Sequence, residues 1–178
     1  MADHIKIGNN ALEISQGDIA SQSDLDAVVN AANAQLAIGG GVAGAIHRGA
    51  GPELYEACKP MAPIKPGEAV ITAAFNLPND YVIHTLGPVF GQDKPEEKLL
   101  ESCYRQSLKS ARGYNLKKVG FPAISTGAFG YPMEEGAEIA LKTIKEELQQ
   151  HDLPELVRMV LFADEDVTVF QNLLRYLK

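Results

Sequence analysis

Gly39-Gly40-Gly41-Val42-Ala43-Gly44 is a glycine-rich stretch, and small and apolar residues at helical spacing continue from it over residues 42–50. A second such stretch, Ser125-Thr126-Gly127-Ala128-Phe129-Gly130, separates an apolar strand pattern (residues 119–124) from an amphipathic helix pattern that begins near Met133. Loops of small residues that lead into a helix let backbone amides approach an anion closely. The two stretches together predict a site that grips the diphosphate of an ADP-containing nucleotide from two sides.

Strand and helix patterns alternate along the rest of the chain. Alternating apolar residues on either side of Gly8-Asn9-Asn10 predict a hairpin at the start. Further strands are predicted at residues 27–30, 68–75, 81–86, 119–124 and 157–162, and helices at 42–50, 95–113, 133–148 and 167–177. This alternation predicts an α/β fold with a central, mixed but largely parallel sheet and helices on both faces. Ligands bind beyond the carboxyl ends of the strands in such sheets, where both glycine-rich stretches are expected to lie.

Composition limits the classes of function. The 178 residues are 46% hydrophobic and 22% charged, which is typical of a globular protein, and we expect a single domain over residues 1–178. The net charge of −7 argues against direct nucleic-acid binding. Without an apolar run of about 20 residues or a signal-peptide pattern, we expect a cytoplasmic monomer with no membrane partner. Cys58 and Cys103 fit buried free thiols better than a disulfide framework.

Polar residues follow several predicted strands. Asp18 follows the hairpin, where it could accept a hydrogen bond from an exocyclic amine or cap a turn. Asn30 and Asn33 end the third strand, and their amides suit hydroxyl recognition, although Asn is also an ordinary turn residue. Phe129 is flanked by small residues, so it could pack on a sugar or belong to the core.

Other ligand classes fit the motifs less well. The first glycine-rich stretch contains G-x-G-x-x-G, but residues 30–38 separate it from its strand, and no acidic residue follows about 20 positions later. A nicotinamide-dependent oxidoreductase is therefore disfavoured, and a flexible turn is the plain alternative. The absence of G-K-[ST], G-x-S-x-G, H-E-x-x-H and zinc-ligand spacings predicts no P-loop, metal or cofactor. His47 and His84, in apolar runs, are interpreted as structural.

Read in order, these motifs resemble a macrodomain, most closely of the MacroD-type branch, from about Ile14 to the C-terminus. The resemblance implies a three-layer α/β/α fold. It is carried by Gly17-Asp18-Ile19, Asp26-Ala27-Val28-Val29-Asn30-Ala31-Ala32-Asn33, Gly39-Gly40-Gly41-Val42, Ala45-Ile46-His47-Arg48, Gly51-Pro52, Tyr81-Val82-Ile83-His84-Thr85, Gly87-Pro88 and Phe121-Pro122-Ala123-Ile124-Ser125-Thr126-Gly127.

The resemblance also implies which residues bind ADP-ribose. Asp18 would bind the adenine amino group, and Asn33 would bind the distal ribose, with Phe129 against that sugar. Asn30 would help to shape the loop that carries Asn33. The other residues assigned to the ligand are Ile19 and Phe162 near the adenosine, Gly40, Gly41 and Val42 in the first phosphate loop, and Ser125, Thr126, Gly127 and Ala128 in the second.

The chain departs from the MacroD-type pattern at Ala43, where those hydrolases typically carry an aspartate that activates or positions water against the anomeric carbon. Alanine cannot accept a proton. Viral macrodomains with Gly-Gly-Gly-Val-Ala-Gly at this place nevertheless include ADP-ribosyl hydrolases. By that analogy Asn33 would orient the ribose, the Gly41 loop would position water, Phe129 would fix the sugar, and a substrate phosphate would take the proton.

The expected function is therefore binding of ADP-ribose, with hydrolysis of mono-ADP-ribose from modified proteins and deacetylation of O-acetyl-ADP-ribose. The expected partner is ADP-ribose or an ADP-ribosylated protein. The alternative is a reader that binds ADP-ribose without turnover, which Ala43 favours.

Overall fold

The computed structural model describes residues 3–177. Its strands are β1 (Asp3–Ile7), β2 (Asn10–Gln16), β3 (Ala27–Ala31), β4 (Ala69–Ala73), β5 (Tyr81–Thr85), β6 (Lys118–Phe121) and β7 (Leu156–Leu161). Its α-helices are α1 (Gly41–Ala50), α2 (Glu53–Cys58), α3 (Glu96–Gly113), α4 (Met133–Gln150) and α5 (Asp164–Leu177). Short 3₁₀ turns lie at Ile19–Ser21 and Lys59–Met61.

The strands form one mixed sheet in the order β1-β2-β7-β6-β3-β5-β4. Strands β2, β7, β6, β3 and β5 are parallel neighbours, and only the outer strands β1 and β4 pair antiparallel. The predicted central, largely parallel sheet is therefore confirmed. Because five parallel strands end at the same edge, the loops that follow them gather along that edge.

Helices cover both faces of the sheet. Side chains alternate between faces along a strand, so Val29 joins the core cluster under α3, α4 and α5, whereas its neighbour Val28 joins the one under α1 and α2. Both valines are fully buried, as expected for a parallel strand covered on both sides. The predicted three layers are present, and Cys58 and Cys103 are buried free thiols.

Some element boundaries differ from the predictions. β6 ends at Phe121 instead of residue 124, because Pro122 has no N–H to continue the ladder. α5 begins at Asp164 instead of residue 167. Its first turn is polar and so lacks the apolar period, but its acidic groups are favourable at a helix N-terminus. The short helix α2 was not predicted as a separate element. Within residues 3–177, no helix is long and apolar enough to cross a membrane.

Candidate functional site

Two adjoining cavities form one cleft at the edge where the parallel strands end. The larger has a volume of about 470 Å³ and the smaller of about 320 Å³. The residues that line both are Gly41, Val42, Ala123 and Gly127. Because their walls are continuous, one elongated ligand can occupy both cavities.

The larger cavity holds four of the predicted residues that are not shared with the smaller one: Asp18, Ile19, Thr126 and Phe162. Phe162 follows the end of β7 with 84% of its surface exposed, so it is free to cover a ligand. Arg48 and Asp166 also line this cavity. Burial, and then the neighbouring Glu165, raise the pKa of the Asp166 carboxyl above its ordinary value.

Asp18 both caps a turn and lines the larger cavity. One carboxylate oxygen, Oδ1, accepts a hydrogen bond from the Ala20 N–H at 2.9 Å and caps the turn Ile19–Ser21. The Gly17 N–H donates to the Leu161 carbonyl at 2.9 Å, which joins this segment to the end of β7. Within residues 3–177 the second carboxylate oxygen accepts no hydrogen bond, so capping the turn leaves it available to a donor in the cavity.

The first glycine loop, residues 39–44, leads directly into α1. The first intrahelical bond runs from the Gly44 N–H to the Gly40 carbonyl at 3.1 Å, so the amides of residues 41–43 precede it. A Cβ on Gly44 would lie 2.6 Å from the Gly39 carbonyl oxygen, and therefore no side chain fits there. Among the described residues these amides have no backbone acceptor, so the N-terminus of α1 offers the cleft free N–H groups and the positive end of its dipole.

The second glycine loop, residues 125–130, closes on itself. The Gly130 N–H donates to the Gly127 carbonyl at 3.0 Å, and the Tyr131 N–H donates to the Ser125 carbonyl at 2.9 Å. Within residues 3–177, the amides of residues 127–129 donate to no other backbone group. Successive unpaired amides of this kind form a concave anion site. The two loops therefore offer amides from both walls of one cleft.

Ser125 is held in an unusual conformation by tight packing. Its φ is +67°, in the left-handed region that residues other than glycine seldom adopt. Its Oγ is buried and has no hydrogen-bond partner in the described part of the chain. A Cβ on Gly87 would lie 2.0 Å from this Oγ. Gly87 thus leaves the space that Ser125 occupies, and both line the smaller cavity.

Five further predicted residues line the smaller cavity: Asn33, Gly40, Ser125, Ala128 and Phe129. The Asn33 Nδ2 donates to the Ala37 carbonyl at 3.1 Å, and its Oδ1 accepts from the Ala37 N–H at 3.0 Å. The amide thereby closes its own loop and keeps a second hydrogen and lone pair for a ligand. Phe129 is half-buried against the core under α1 and also lines the cavity, so packing on a sugar stays a prediction that its position allows.

The structure does not bring Asn30 into the cleft. Asn30 is almost fully buried, and its Nδ2 donates to His84 Nδ1 at 3.1 Å. His84 therefore carries its proton on Nε2, which lies 3.0 Å from Thr72 Oγ1. Burial, and secondarily His47, lower the His84 pKa to about 3. Asn30 can support the following loop, as predicted, but its side chain is not among those that line the cleft.

No proton-accepting side chain lines the smaller cavity within the described residues. Its walls carry no carboxylate, imidazole, thiol or amine, and Ala43 stands among them. Nor do residues 3–177 bring together three His, Cys, Asp or Glu side chains able to hold a metal ion. A reaction in this cavity would therefore rely on the backbone, on Asn33 and on groups of the ligand.

Sequence reasoning missed several residues of the cleft. Arg48 lies in a motif of the resemblance but was not assigned to the ligand, and Asp166 lies in the first turn of α5, far in sequence from both glycine loops. Gly87 carried a usable signal, because a Gly-Pro pair follows β5 at the same edge of the sheet.

Known proteins are similar to this chain in sequence and fold. The Macro domain family model matches residues 29–140. A Macro domain-containing protein of Methanosarcina mazei is 50% identical over 159 residues, 89% of this chain and 84% of that protein. An O-acetyl-ADP-ribose deacetylase of Citrobacter koseri is 48% identical over 168 residues, 92% of this chain and 94% of that protein. The Oceanobacillus iheyensis macrodomain with ADP is similar with a TM-score of 0.95 and 44% identity, covering 99% of this chain and 96% of that one.

Proposed function

This chain belongs to the macrodomain family, and on that premise we propose that it binds ADP-ribose and hydrolyses mono-ADP-ribose from modified proteins. One observation carries the proposal: two glycine loops line a single cleft between Asp18 at one end and Asn33 at the other. The similar O. iheyensis macrodomain with ADP supports the ligand class. The similar C. koseri deacetylase supports a hydrolytic reaction.

The larger cavity would hold the adenosine. The free carboxylate oxygen of Asp18 would accept from the adenine amino group, and Ile19 and Phe162 would pack against the base. The diphosphate would lie between the amides of residues 41–43 and those of residues 127–129. Binding through amides and a helix dipole accords with a protein of net charge −7.

The distal ribose would occupy the smaller cavity. Asn33 would orient it by hydrogen bonds to its hydroxyls, and Phe129 would pack on one face of the sugar. With the sugar fixed, the Gly41 loop would hold a water near the anomeric carbon. Asn33, Gly41 and Phe129 are thus the residues proposed to act in catalysis.

Hydrolysis would then proceed without a protein base. The water oxygen bonds to the anomeric carbon as the bond to the side-chain carboxylate of the modified protein breaks. The carboxylate leaves with the bonding electrons, and a phosphate oxygen of the ligand takes the proton from the water. Because phosphate is a weak base and general-base help is typically worth about 10²–10⁴-fold, we expect slow turnover.

A second candidate function has its own support. The smaller cavity lacks a proton acceptor, and Ala43 stands where a carboxylate would supply one. These features favour a reader that binds ADP-ribose on a modified protein and does not cleave it. Reader and hydrolase share the cleft and differ only in turnover.

Two measurements test the proposal in sequence. Calorimetry with ADP-ribose, NAD and ATP should show binding of ADP-ribose in preference to the other two. Incubation with a protein mono-ADP-ribosylated on acidic side chains, and with O-acetyl-ADP-ribose, should release ADP-ribose from both. Binding without release would establish the reader, and a preference for NAD would exclude both functions.

Asn33→Ala should lower turnover sharply, because it removes the group that orients the ribose and opens the loop held at Ala37. We expect a loss of about tenfold or more in kcat/KM, measured with the mono-ADP-ribosylated protein. Asn172→Ala, on the exposed surface of α5, is the matched control. Unchanged turnover in Asn33→Ala would exclude the proposed role.

A further inference from the structure

Gln22 joins the segment that carries Asp18 to a largely buried arginine. Its Nε2 donates to the Asp18 carbonyl oxygen at 2.9 Å, and its Oε1 accepts from Arg158 Nη1 at 3.0 Å. The Ser21 N–H donates to the same carbonyl at 3.0 Å. Both ends of the Gln22 amide are used, so the backbone at Asp18 is coupled to Arg158.

Arg158 is held firmly by the sheet. It lies on β7 directly opposite Glu13 on β2, and its Nε donates to the Glu13 carboxylate. Its two terminal nitrogens form a bidentate pair with Asp24 at 2.8 and 2.7 Å. The side chain is 14% exposed, so solvent screens these ion pairs only in part. Gln22 is therefore attached to a fixed point of the sheet.

The peptide at Asp18 determines where its carboxylate points. One oxygen is held by the Ala20 N–H, the other accepts no hydrogen bond within residues 3–177, and Asp18 lines the larger cavity. Gly17 leaves room for the Gln22 amide, because a Cβ there would lie 3.2 Å from Gln22 Nε2. A shift of this peptide would turn the free oxygen away from a ligand in the cavity.

We propose that Gln22, held by Arg158, is a positioning residue that aims the free carboxylate oxygen of Asp18 at an amino group of the bound base. It thereby makes the cleft select adenine over a purine with a carbonyl at the same place, such as hypoxanthine. The inference rests on the proposed function, since it requires an adenine nucleotide in the larger cavity. A carboxylate accepts from an amino group and is repelled by a carbonyl oxygen.

Gln22→Glu separates the hydrogen bond to Arg158 from the hydrogen bond to the Asp18 carbonyl. The new carboxylate still accepts from Arg158, but it cannot donate to the Asp18 carbonyl and repels that oxygen. Calorimetry should compare ADP-ribose with its inosine analogue, inosine diphosphate ribose, on each protein. We expect the wild type to bind ADP-ribose about tenfold more tightly, the value of one hydrogen bond to a charged group. In Gln22→Glu this selectivity should fall towards one, through weaker binding of ADP-ribose alone.

Two further variants complete the test. Gln106→Glu makes the same change of charge on the exposed face of α3, which covers the face of the sheet opposite to α1. It should keep the wild-type selectivity. Gln22→Met loses both hydrogen bonds without adding charge, and it should lose selectivity as Gln22→Glu does. If the added charge of Gln22→Glu prevents folding, Gln22→Met still tests the proposal.

The outcomes are distinct. A wild type that binds neither ligand overturns the proposed function and this inference together. A wild type that binds both ligands equally overturns the inference alone. If the Gln22 variants keep the selectivity, or bind both ligands more weakly by the same factor, Gln22 has only a structural role. Either result also overturns the inference.

Discussion

Ala43 decides how the cleft can work as a catalyst. It is 6% exposed, lines the smaller cavity, and has no neighbour in that cavity that can accept a proton within the described residues. The resemblance to MacroD-type hydrolases implies that a carboxylate is missing at this position. Within residues 3–177, no side chain that lines the smaller cavity replaces it, and the sequence could not show this because those walls come from distant segments.

Ala43→Asp should raise turnover, because a carboxylate at this wall can take the proton from the attacking water. Positioned general bases contribute about 10²–10⁴-fold, and we expect a gain near the lower end from an unoptimised site. The release of ADP-ribose from a mono-ADP-ribosylated protein measures it. Ala43→Asn is the matched control, with the same shape and no base. Equal rates in the two variants would show that Ala43 does not limit the reaction.

Asp18 and Phe129 show why some residue-level alternatives could not be resolved from sequence. Asp18 is both a cap and a cleft residue, and Phe129 is both part of the core and part of the cavity wall. Each side chain has two environments at once, so composition supported both interpretations. Asn30 differs, because only the pairing of β3 with β5 places His84 beside it.

Helix α1 depends on a close contact with the first glycine loop, which makes Gly44 a sensitive position. By helix propensity alone, Gly44→Ala should stabilise the helix by about 1 kcal/mol. The Cβ would, however, lie 2.6 Å from the Gly39 carbonyl oxygen, and backbone cannot move aside cheaply. We expect ADP-ribose affinity to fall about tenfold or more, measured by calorimetry. Gly113→Ala, at the end of α3 in open space, should leave affinity unchanged.

Helices α3 and α4 are joined by an ion-pair network centred on Glu147. Its carboxylate accepts from Arg105 Nη1 at 2.9 Å and from Arg112 Nη2 at 3.0 Å, and the side chain is 8% exposed. Glu147→Gln would leave Arg112 without a carboxylate partner among the described residues, whereas Arg105 would keep Glu101 and Glu146. We expect a loss of about 2 kcal/mol in the free energy of unfolding, measured in urea. Glu138→Gln, exposed on α4, should change it by less than about 0.5 kcal/mol.

The elements themselves were largely predictable. The hairpin, the buried strands and helices α1, α3 and α4 follow from apolar periods of two and 3.6 residues that local sequence carries. The apolar pattern does not show the start of α5, because its first turn is acidic and is stabilised by the helix dipole. The prediction that β6 runs to residue 124 is wrong, because the apolar run continues past Pro122, which has no N–H for the ladder.

At the scale of the whole molecule, buried histidines make stability depend on pH. Burial and His47 lower the His84 pKa to about 3 from its ordinary 6.5, and burial also lowers the His47 pKa. Below pH 6.5 the unfolded chain therefore binds protons that the folded protein does not, and stability falls as pH falls. From His84 alone, we expect a loss of about 2 kcal/mol between pH 7 and pH 5, measured by urea unfolding.

Controls can assign this pH dependence. His84→Gln should flatten the dependence, and His151→Gln, with an exposed side chain, should not. Asp24, whose pKa the Arg158 guanidinium lowers to about 2, loses its contribution only as pH falls below its ordinary 3.8. It therefore does not contribute between pH 7 and pH 5. Equal wild-type stability at pH 7 and pH 5 would mean that the buried rings are protonated in the folded protein.

The sequence by itself determined the units of this protein: strands, helices, and two glycine loops that each lead towards a helix N-terminus. These follow from local periodicity and from the conformations that small residues allow. Tertiary structure alone decided how the units meet. The order β2-β7-β6-β3-β5 places Asp18, Asn33 and Phe162 at one edge, and it couples Asp18 to Arg158 through Gln22. Strand order depends on packing both faces of the whole sheet, and no short stretch of chain contains that information.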